Sequence, residues 1–375
     1  MKIKDCVEKR KTIKADLHYS PYIEIGDIDT FTKEYSIKDK SSVAGSVIAY
    51  CGDILVSTVR PTRGAVTIVK ENSVAVSAAF AVVHPDASKS DPKYLFYCLN
   101  SKPFLEYLGS VSKGATYPTC SKDDVFNYPL QDYNKLEQTQ IANLLDRLSL
   151  IIQNRKKELQ LLDNLVKARF VEMFKGGQYP VVRAADVCEY ITKGTTPSSN
   201  EIFSEPKIDS IPYLKVYNLS FDGSLRFFEE PQYISRKIHE GKLARSKVLP
   251  NDVLMNIVGP PLGKLSLVTN DFPEWNINQA IAVFRAKERV LPTFLLYSLM
   301  HPNVLMPFLN NAQGVRQLNI SLEQCRNITF SLPTVKEQEA FCRFVEQINQ
   351  SKLVVQRALD KAQLLFDSLM QKYFG

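Results

Sequence analysis

The chain lacks the features that would place it in a membrane or direct it to secretion. Of its 375 residues 45% are hydrophobic, but no apolar run approaches the roughly 18 residues that cross a bilayer. The N-terminal segment MKIKDCVEKRKTIK is charged and has no apolar core of the kind that a signal peptide needs. We therefore expect a cytoplasmic protein with no membrane association.

Cysteine and histidine are too few and too scattered to predict a metal centre or a disulfide framework. The seven cysteines are an odd number and none lies in a CxxC pair, which fits reduced thiols. The four histidines never stand at the spacing of zinc ligands, and no HExxH occurs. The sequence therefore predicts no metal on this chain.

Motifs of the common enzyme classes are also missing. No GxSxG turn, no GxGxxG loop and no methyltransferase motif of Asn or Asp before Pro-Pro occurs. The segment GPPLGK (259–264) is one residue short of a phosphate loop, and its two prolines offer no backbone N–H donors. In PDASKSDPK (85–93) the acidic residues are spaced too tightly for a nuclease site. We predict no catalytic residue and no bound cofactor.

The sequence does contain an internal repeat, in which one unit occurs twice with a period of about 200 residues. The stretch GDILVSTVRPTRGAVTIV (52–69) matches NDVLMNIVGPPLGKLSLV (251–268) in its apolar pattern and spacing. The dipeptide Glu-Gln recurs in the same register at 137–138 and 337–338. A period this long indicates a duplicated domain rather than a solenoid.

Each copy predicts short strands followed by helices. In the first copy, β-branched runs between Gly, Pro and Asp turns predict strands at 22–25, 53–59, 65–69 and 74–83. A proline at the first turn and apolar residues at helical spacing predict a helix at 92–108. A polar loop and a long helix come next in both copies.

The long helices are predicted at 134–176 and 334–375. Each begins with an N-cap residue three positions before a glutamate, and apolar residues then step by three and four without a Pro or Gly. This narrow stripe indicates coiled-coil pairing. If the helices pair antiparallel, helices of about 35–40 residues make a rod of roughly 50–60 Å with a globular domain at each end. The alternative is that each helix packs only on its own domain.

The two copies differ most in their polar loops. Arg60 and Arg63 of the first copy are replaced by Gly259 and Leu262 in the second. Arg, Lys, Asn, Gln, Ser and Thr read base edges and hold phosphates, and the net charge of +7 favours an anionic partner. Polar loops and a mild positive charge also occur in proteins that bind no nucleic acid.

The ordered set of these motifs resembles the specificity subunits of type I restriction-modification enzymes. The resemblance covers essentially the whole chain, and the duplication is part of it. It is carried by YPLQDYNKLEQ (128–138), SLPTVKEQ (331–338), the strand GDILVSTVR (52–60), the segment KGTTP (193–197) and the loop QGVRQLNIS (313–321).

The resemblance implies an α+β fold with two target recognition domains, 1–133 and 177–333. Each domain would read one half of a bipartite, asymmetric site on double-stranded DNA. The helices at 134–176 and 334–375 would form an antiparallel coiled coil that sets the half-site spacing and docks two modification subunits. No catalysis is expected on this chain. Methyl transfer with S-adenosylmethionine would belong to the modification subunits, and cleavage driven by ATP with Mg to restriction/translocase subunits.

Polar side chains of the variable loops, of KGTTP and of PYLKVYNL (212–219) are the predicted DNA contacts. These residues are Ser57, Thr58, Arg60, Arg63, Lys113, Thr116, Tyr117, Lys193, Thr195, Thr196, Lys215, Asn218, Arg316, Gln317 and Asn319.

Two other functions remain open at this stage. One is a non-catalytic, protein-binding adaptor that carries duplicated domains on a coiled-coil spacer. The other is a stand-alone nuclease or methyltransferase. DNA binding that falls steeply with salt would favour the DNA-recognition function over the adaptor.

Overall fold

The computed structural model divides into two compact units. The first unit comprises Met1–Lys157 and Gln356–Gly375, and the second comprises Glu158–Val355. Each unit therefore contains one globular domain together with a piece of each long helix. The structure describes residues 1–37, 40–310, 312 and 318–375.

The first unit starts with short strands that form two three-stranded sheets. These strands are β1 (Tyr22–Ile23), β2 (Val47–Tyr50), β3 (Ile54–Ser57), β4 (Val66–Ile68), β5 (Ser73–Val76) and β6 (Phe80–Val83). In one sheet β3 lies between β4 and β6, and both pairs are antiparallel. In the other, β5 lies between β1, which is parallel to it, and β2, which is antiparallel.

The prediction of one continuous strand at 74–83 is wrong, because a turn divides this segment into β5 and β6. The backbone N–H of Phe80 donates to the carbonyl of Ser77 at 3.0 Å. The Ser77 hydroxyl also accepts from the N–H of Ala79 at 3.3 Å, as serine does in turns. The two halves belong to different sheets. The sequence pattern also does not predict β2.

The helix predicted at 92–108 is likewise two helices. Ser101 interrupts the apolar run, and its hydroxyl caps the second helix by accepting from the N–H of Phe104. Pro103 then occupies the first turn, where its missing N–H has no partner to lose. The helices that follow the strands are α1 (Pro92–Leu99), α2 (Lys102–Val111) and α3 (Lys122–Asn127).

The second unit repeats this plan with additional strands. Its strands are β7 (Val181–Arg183), β8 (Cys188–Lys193), β9 (Ile202–Phe203), β10 (Ser210–Leu214), β11 (Tyr233–Ser235), β12 (Lys247–Val248), β13 (Val253–Asn256), β14 (Val258–Gly259), β15 (Leu265–Leu267), β16 (Trp275–Ile277), β17 (Ile281–Ala286), β18 (Leu318–Asn319) and β19 (Thr329–Ser331). Its short helices are α5 (Ala184–Val187), α6 (Arg236–Glu240), α7 (Pro292–Met300), α8 (Pro302–Asn310) and α9 (Leu322–Arg326).

Two sheets form the body of the second unit. One has the order β15-β13-β17-β8 and corresponds to the β4-β3-β6 sheet of the first unit. The other has the order β12-β16-β10-β11-β9, with β10 parallel to β16. Fully buried aromatic side chains fill the cores behind these sheets, including Trp275 in the five-stranded sheet and Phe284 in the four-stranded sheet.

The same aspartate turn opens the central strand in both units, but its partners differ. Asp252 forms a two-point ion pair with Arg285, with N–O distances of 2.8 and 2.7 Å. Asp53 instead accepts from Nδ1 of His84 at 2.7 Å and from Arg10 at 3.3 Å. Both aspartates are buried. The ion pair with Asp252 raises the pKa of Arg285.

The two long helices are present as predicted: α4 spans Lys135–Phe174 and α10 spans Val335–Phe374. Their N-termini are capped by the glutamate of each Glu-Gln dipeptide. The N–H of Asn134 donates to Glu137 at 2.8 Å, and the N–H of Thr334 donates to Glu337 at 2.9 Å. Among the described residues, no helix combines the length and apolar character of a membrane span.

The glutamine of each Glu-Gln dipeptide ties its helix to the globular domain before it. Gln138 is buried, and its side-chain oxygen accepts from the hydroxyl of Ser90 at 2.6 Å. Gln338 is also buried, and its oxygen accepts from the N–H of Leu291 at 2.9 Å. A buried amide with these bonds fixes where the helix leaves the domain.

Each long helix packs on both globular domains, so the alternative of one helix per domain is wrong. In the first unit, Phe374 at the end of α10 lies 5.1 Å from the ring of Tyr94. In the second unit, Asp163 of α4 binds Lys352 of α10 at 2.5 Å, and later in α4 Phe170 packs on Phe341, earlier in α10. These contacts confirm antiparallel pairing.

Candidate DNA interface

Two polar loops of the first unit meet beyond the end of β3. We call them the first loop pair (58–64 and 113–119). An isolated antiparallel bridge joins Val59 to Thr119. The backbone N–H of Arg60 donates across this junction to the carbonyl of Pro118 at 2.7 Å. Segments that are about 55 residues apart in the chain therefore present one surface.

Arg60 is held on this surface by its backbone and by two side-chain contacts. Its φ of 47° lies in the left-handed region, which costs a non-glycine residue roughly 1–3 kcal/mol and is concentrated at functional sites. Its Nη2 donates to the carbonyl of Thr116 at 3.3 Å, and its guanidinium lies 4.2 Å from the ring centroid of Tyr117. The ring itself is 64% exposed. The structure thus brings together three predicted residues.

Arg63 and Lys113 complete the exposed part of the first loop pair. Arg63 ends a short 3-10 turn, and Gly64 follows it with φ 68°. The carbonyl of Gly64 accepts from the ammonium of Lys33 at 2.9 Å, so a half-buried cation supports the turn. Burial lowers the pKa of Lys33.

Ser57 and Thr58 do not fit the prediction that they contact DNA. Both are buried, with exposures of 1% and 8%. The Ser57 hydroxyl donates to the carbonyl of Val59 at 2.7 Å, and the Thr58 hydroxyl donates to the carbonyl of Ala79 at 2.8 Å. Their role is to hold the base of the loop, because a hydroxyl bonded to buried backbone cannot reach a base edge.

The second unit joins two loops at the matching place. Strand β14 pairs with β18, and Val258 stands opposite Asn319. We call this surface the second loop pair (258–264 and 318–319). Asn319 is exposed on it. Two further predicted DNA contacts lie outside the described residues: Arg316 and Gln317.

The loop 258–264 carries no arginine and is closed by the side chain of Asn256, which bonds to its backbone. The amide of Asn256 donates to the carbonyl of Pro261 at 2.7 Å and accepts from the N–H of Lys264 at 2.7 Å. A Cβ added at Gly259 would lie 2.7 Å from the carbonyl oxygen of Pro261. The loop therefore has no room for a side chain at the position that Arg60 occupies in the first unit.

The segment KGTTP lies against the connection between β16 and β17. Lys193 is exposed at the end of β8. A Cβ at Gly194 would come within 2.1 Å of the carbonyl oxygen of Asn278, so only glycine fits there. The N–H of Thr195 then donates to the carbonyl of Ile277 at 3.2 Å. This segment is fixed by backbone contacts on both sides.

Thr195 and Thr196 use their hydroxyls to hold neighbouring turns. The Thr195 hydroxyl accepts from Nε of Arg245 at 3.1 Å and is bonded to the hydroxyl of Ser246 at 3.1 Å. The Thr196 hydroxyl accepts from the N–H of Gln279 at 3.4 Å. We call this group the Thr195 cluster: Lys193, Thr195, Thr196, Arg245 and Gln279.

Lys215 and Asn218 differ in how well they fit the prediction. Lys215 is half-buried, and its ammonium donates to the side chain of Gln232 at 3.3 Å. Asn218 is fully buried and accepts from the N–H of Lys215 at 2.9 Å. Its amide also faces backbone carbonyls of the following turn. Asn218 therefore stabilises the turn and does not fit the prediction of a DNA contact.

Arg245 and Gln279 are exposed members of the Thr195 cluster that sequence reasoning misses. Arg245 lies in the segment KLARSK, which has no counterpart among the motifs of the first copy. It reaches Thr195 across 50 residues of chain. A lone arginine in an irregular segment gives no signal by itself, and only the fold identifies its neighbours.

The cations of these surfaces are the exposed Arg63, Lys113, Lys193 and Arg245 and the half-buried Arg60 and Lys215. Lys242, three residues before Arg245, instead pairs with Glu201 at 2.9 Å. In the part of the chain that the structure describes, no carboxylate lies within ion-pair distance of Arg60, Arg63, Lys113, Lys193, Lys215 or Arg245. Within the same residues, no group of three His, Cys, Asp or Glu side chains could hold a metal ion.

Known proteins similar to this chain belong to restriction systems. The chain is 29% identical over 173 residues to the type I restriction enzyme EcoBI specificity subunit of Escherichia coli, covering 44% of this chain and 35% of that protein. It is 24% identical over 227 residues to the MjaIX specificity subunit of Methanocaldococcus jannaschii, covering 53% and 51%. The matched stretches thus span about a third to a half of these relatives.

Solved structures with this fold are also available. A chain from a study of complex assembly and conformational transition of the type I R-M system aligns over 100% of this chain and 96% of its own length, with TM-score 0.60 and 18% identity. The type I restriction-modification S subunit from M. genitalium aligns over 100% and 95%, with TM-score 0.61 and 15% identity. At these identities the likeness concerns the fold.

The model of one protein family matches nearly the whole chain. That family is described as the type I restriction modification DNA specificity domain, and it matches residues 1–163 and again residues 177–358. The two matches coincide with the two copies of the internal repeat. This chain therefore belongs to the type I restriction-modification DNA specificity family and carries two of its domains.

Proposed function

We propose that this chain is the DNA-recognition subunit of a type I restriction-modification complex, in which each unit reads one half of a bipartite site. The observation that carries the proposal is that each unit places a carboxylate-free arginine beside hydrogen-bonding side chains, Arg60 beside Thr116 and Tyr117 and Arg245 beside Thr195. Such cations neutralise phosphates, and their neighbours can read base edges. The membership of the family supports the same function.

The difference between the two loop pairs supports an asymmetric target. The first pair offers Arg60, Arg63 and Lys113, whereas the second offers Asn319 beside a closed proline loop. Two surfaces with different donors and acceptors select different bases. We therefore propose that the two half-sites have different sequences.

We further propose that this chain carries out no chemistry of its own. Methyl transfer with S-adenosylmethionine is assigned to two modification subunits, and cleavage that uses ATP and Mg to restriction/translocase subunits, in the cytoplasm. The absence of recognisable catalytic motifs in the sequence supports this division. In this arrangement the chain supplies binding energy and register, and its partners supply the reaction.

The long helices are proposed to set the half-site spacing and to bind the modification subunits. Large apolar side chains are exposed along both, including Leu161 at 56%, Leu353 at 59% and Leu364 at 72%. Exposed apolar groups that recur along a helix mark a surface for a protein partner. A 40-residue helix is about 60 Å long, which is sufficient to span more than one turn of DNA.

Methylome sequencing tests the proposed function directly. A host that expresses the modification subunits is compared with and without the gene for this chain. We expect a split, asymmetric motif to be methylated only when the chain is present. If the methylome is unchanged while the modification subunits are expressed, the proposal is wrong, and the adaptor function gains support.

The helix surface has its own test. Leu364→Glu is expected to reduce co-purification with the modification subunits, because it places a charge in an apolar interface, without lowering the melting temperature of the chain. Leu364→Met keeps the apolar character and serves as the matched control. Equal co-purification of both variants would argue against binding at this face.

A further inference from the structure

The Thr195 cluster holds an exposed arginine beside a threonine, as the first loop pair holds Arg60 beside Thr116. We propose that Arg245 reads a guanine in the half-site of the second unit and that Thr195 positions it. This inference rests on the proposed function of the chain. It identifies where the second unit places the base-reading group that its own loop 258–264 lacks.

The topology of the five-stranded sheet brings the members of the cluster to one edge. Strand β12 is antiparallel to β16, with Lys247 opposite Asn276. Arg245 lies just before β12 and Gln279 just after β16, so both approach the same end of the sheet. Thr195 also lies at this end of the sheet, where its backbone N–H donates to the carbonyl of Ile277, the last residue of β16.

Arg245 is pre-oriented through only one of its nitrogens. Its Nε donates to Thr195 at 3.1 Å, and within the described residues no carboxylate pairs with its two terminal nitrogens. An arginine held at Nε keeps a planar fork of donors that matches the O6 and N7 acceptors of guanine in the major groove. Holding the fork in place reduces the entropy lost on binding.

The supports of Arg245 are themselves rigid. Ser246 is fully buried and shares the Thr195 hydroxyl. Leu243, on the other side of the turn, is fully buried in a hydrophobic cluster. The backbone of Thr195 is held on both sides, since its N–H donates to the carbonyl of Ile277 at 3.2 Å and its carbonyl accepts from the hydroxyl of Tyr213 at 3.2 Å. A base-reading side chain needs such a fixed second layer, because small displacements cost specificity.

The possible roles of Arg245 predict different results when its side chain is removed. If it only closed the turn, removal would lower stability and leave sequence preference intact. If it contacted a phosphate, removal would weaken binding equally for all sequences. Base reading predicts a change in preference that is confined to one or two adjacent positions of one half-site.

Selection from a library of randomised duplex DNA by the full-length chain in complex with the modification subunits separates these outcomes. The variants are Arg245→Ala, Arg245→Lys and Thr195→Val. Arg236→Ala is the control, because it removes the same charge from a side chain that is paired with Glu240 and Glu274. Melting temperatures show which variants are folded.

We expect the wild-type chain to enrich a split motif and Arg245→Ala to lose preference for a guanine in one half only. Its affinity for the wild-type motif should fall about 5- to 150-fold. Arg245→Lys keeps the charge but lacks the fork, so it should lose the same preference. Thr195→Val should lose it in part, and Arg236→Ala should retain the full motif.

Retention of the full motif by Arg245→Ala would overturn the inference and leave the proposed function standing. So would a loss of affinity that is the same for every sequence. If Arg245→Ala does not fold, Arg245→Lys and Thr195→Val decide by the same criteria. A wild-type chain that enriches no motif would instead overturn the proposed function, and the inference with it.

Discussion

The two loop pairs are built on the same backbone junction but carry different side chains. Arg60 and Arg63 of the first loop are replaced by Gly259 and Leu262 in the second. Val59 bridges to Thr119 in the first unit, and Val258 bridges to Asn319 in the second. Beyond this bridge the first loop holds a strained, half-buried arginine, while the second is closed by hydrogen bonds to the side chain of Asn256. The comparison shows that the strand frame is the same in both units, whereas the side chains that the loops carry differ.

The closed loop of the second unit supports the proposal that its base-reading arginine lies elsewhere. Gly259 has no space for a Cβ beside Pro261, and Leu262 packs on the hydrophobic core. An arginine at either position would disrupt the loop. In our proposal the Thr195 cluster, at the end of a different sheet, supplies the arginine that the first unit carries on its loop.

The largest expected effect concerns the aspartate turn that both units share. Asp252→Ala leaves the largely buried guanidinium of Arg285 without its partner, and we expect it to lower the free energy of unfolding by about 3–5 kcal/mol. Asp53→Ala leaves His84 and the more exposed Arg10, so we expect a smaller loss of about 1–3 kcal/mol. Chemical denaturation of the two variants measures the difference. Equal losses would contradict the role of the ion pair.

The next effect concerns the independence of the two recognition surfaces. Arg60→Ala should weaken DNA binding by about 1–3 kcal/mol and relax preference only at the half-site of the first unit. Arg63→Ala should act at the same half-site. Binding titrations on duplexes altered in one half at a time give the measurement. A loss that is equal at both half-sites would argue against independent recognition by the two units.

The sequence predicts the features that depend on local patterns and on the repeat. The helices α4 and α10 are found as predicted, because capping and apolar spacing are local properties. The sequence does not predict the division between β5 and β6, because Ser77 and the alanines after it interrupt the run only through turn hydrogen bonds.

The candidate interface is less predictable because burial and distant partners decide it. Arg60, Thr116 and Tyr117 come together as a set, which the repeat alone does not show. Asn218 has a suitable side chain for DNA but is buried in its own turn. Arg245 becomes a candidate only through its bond to a threonine far away in sequence.

A smaller effect separates strain from recognition within the first loop. Arg60→Gly removes the left-handed strain together with the side chain, whereas Arg60→Ala keeps the strain. We expect the glycine variant to be more stable than the alanine variant by about 1 kcal/mol, although both should lose the same DNA contacts. Thermal denaturation gives the comparison. Gly259→Ala in the second unit should lower the stability of the chain, because the added Cβ has no space beside Pro261.

The smallest expected effect is the response of the second unit to pH through His239. Nδ1 of this buried histidine lies 3.0 Å from the side-chain amide nitrogen of Asn276, a donor that favours the neutral ring. Burial is the main cause that lowers its pKa from 6.5, opposed by Glu274 and assisted by Lys247. The unfolded chain therefore takes up a proton first as the pH falls.

It follows that His239 contributes full stability above its unfolded pKa of 6.5 and loses it as the pH falls below that value. We expect the melting temperature of the wild-type chain to fall more steeply than that of His239→Gln between pH values of about 7.5 and 5.5. If His239→Gln keeps the wild-type pH dependence of the melting temperature, the buried imidazole is not the source of that dependence. The second unit would then differ from the first in its proposed DNA-binding surface but not in the response of its stability to pH.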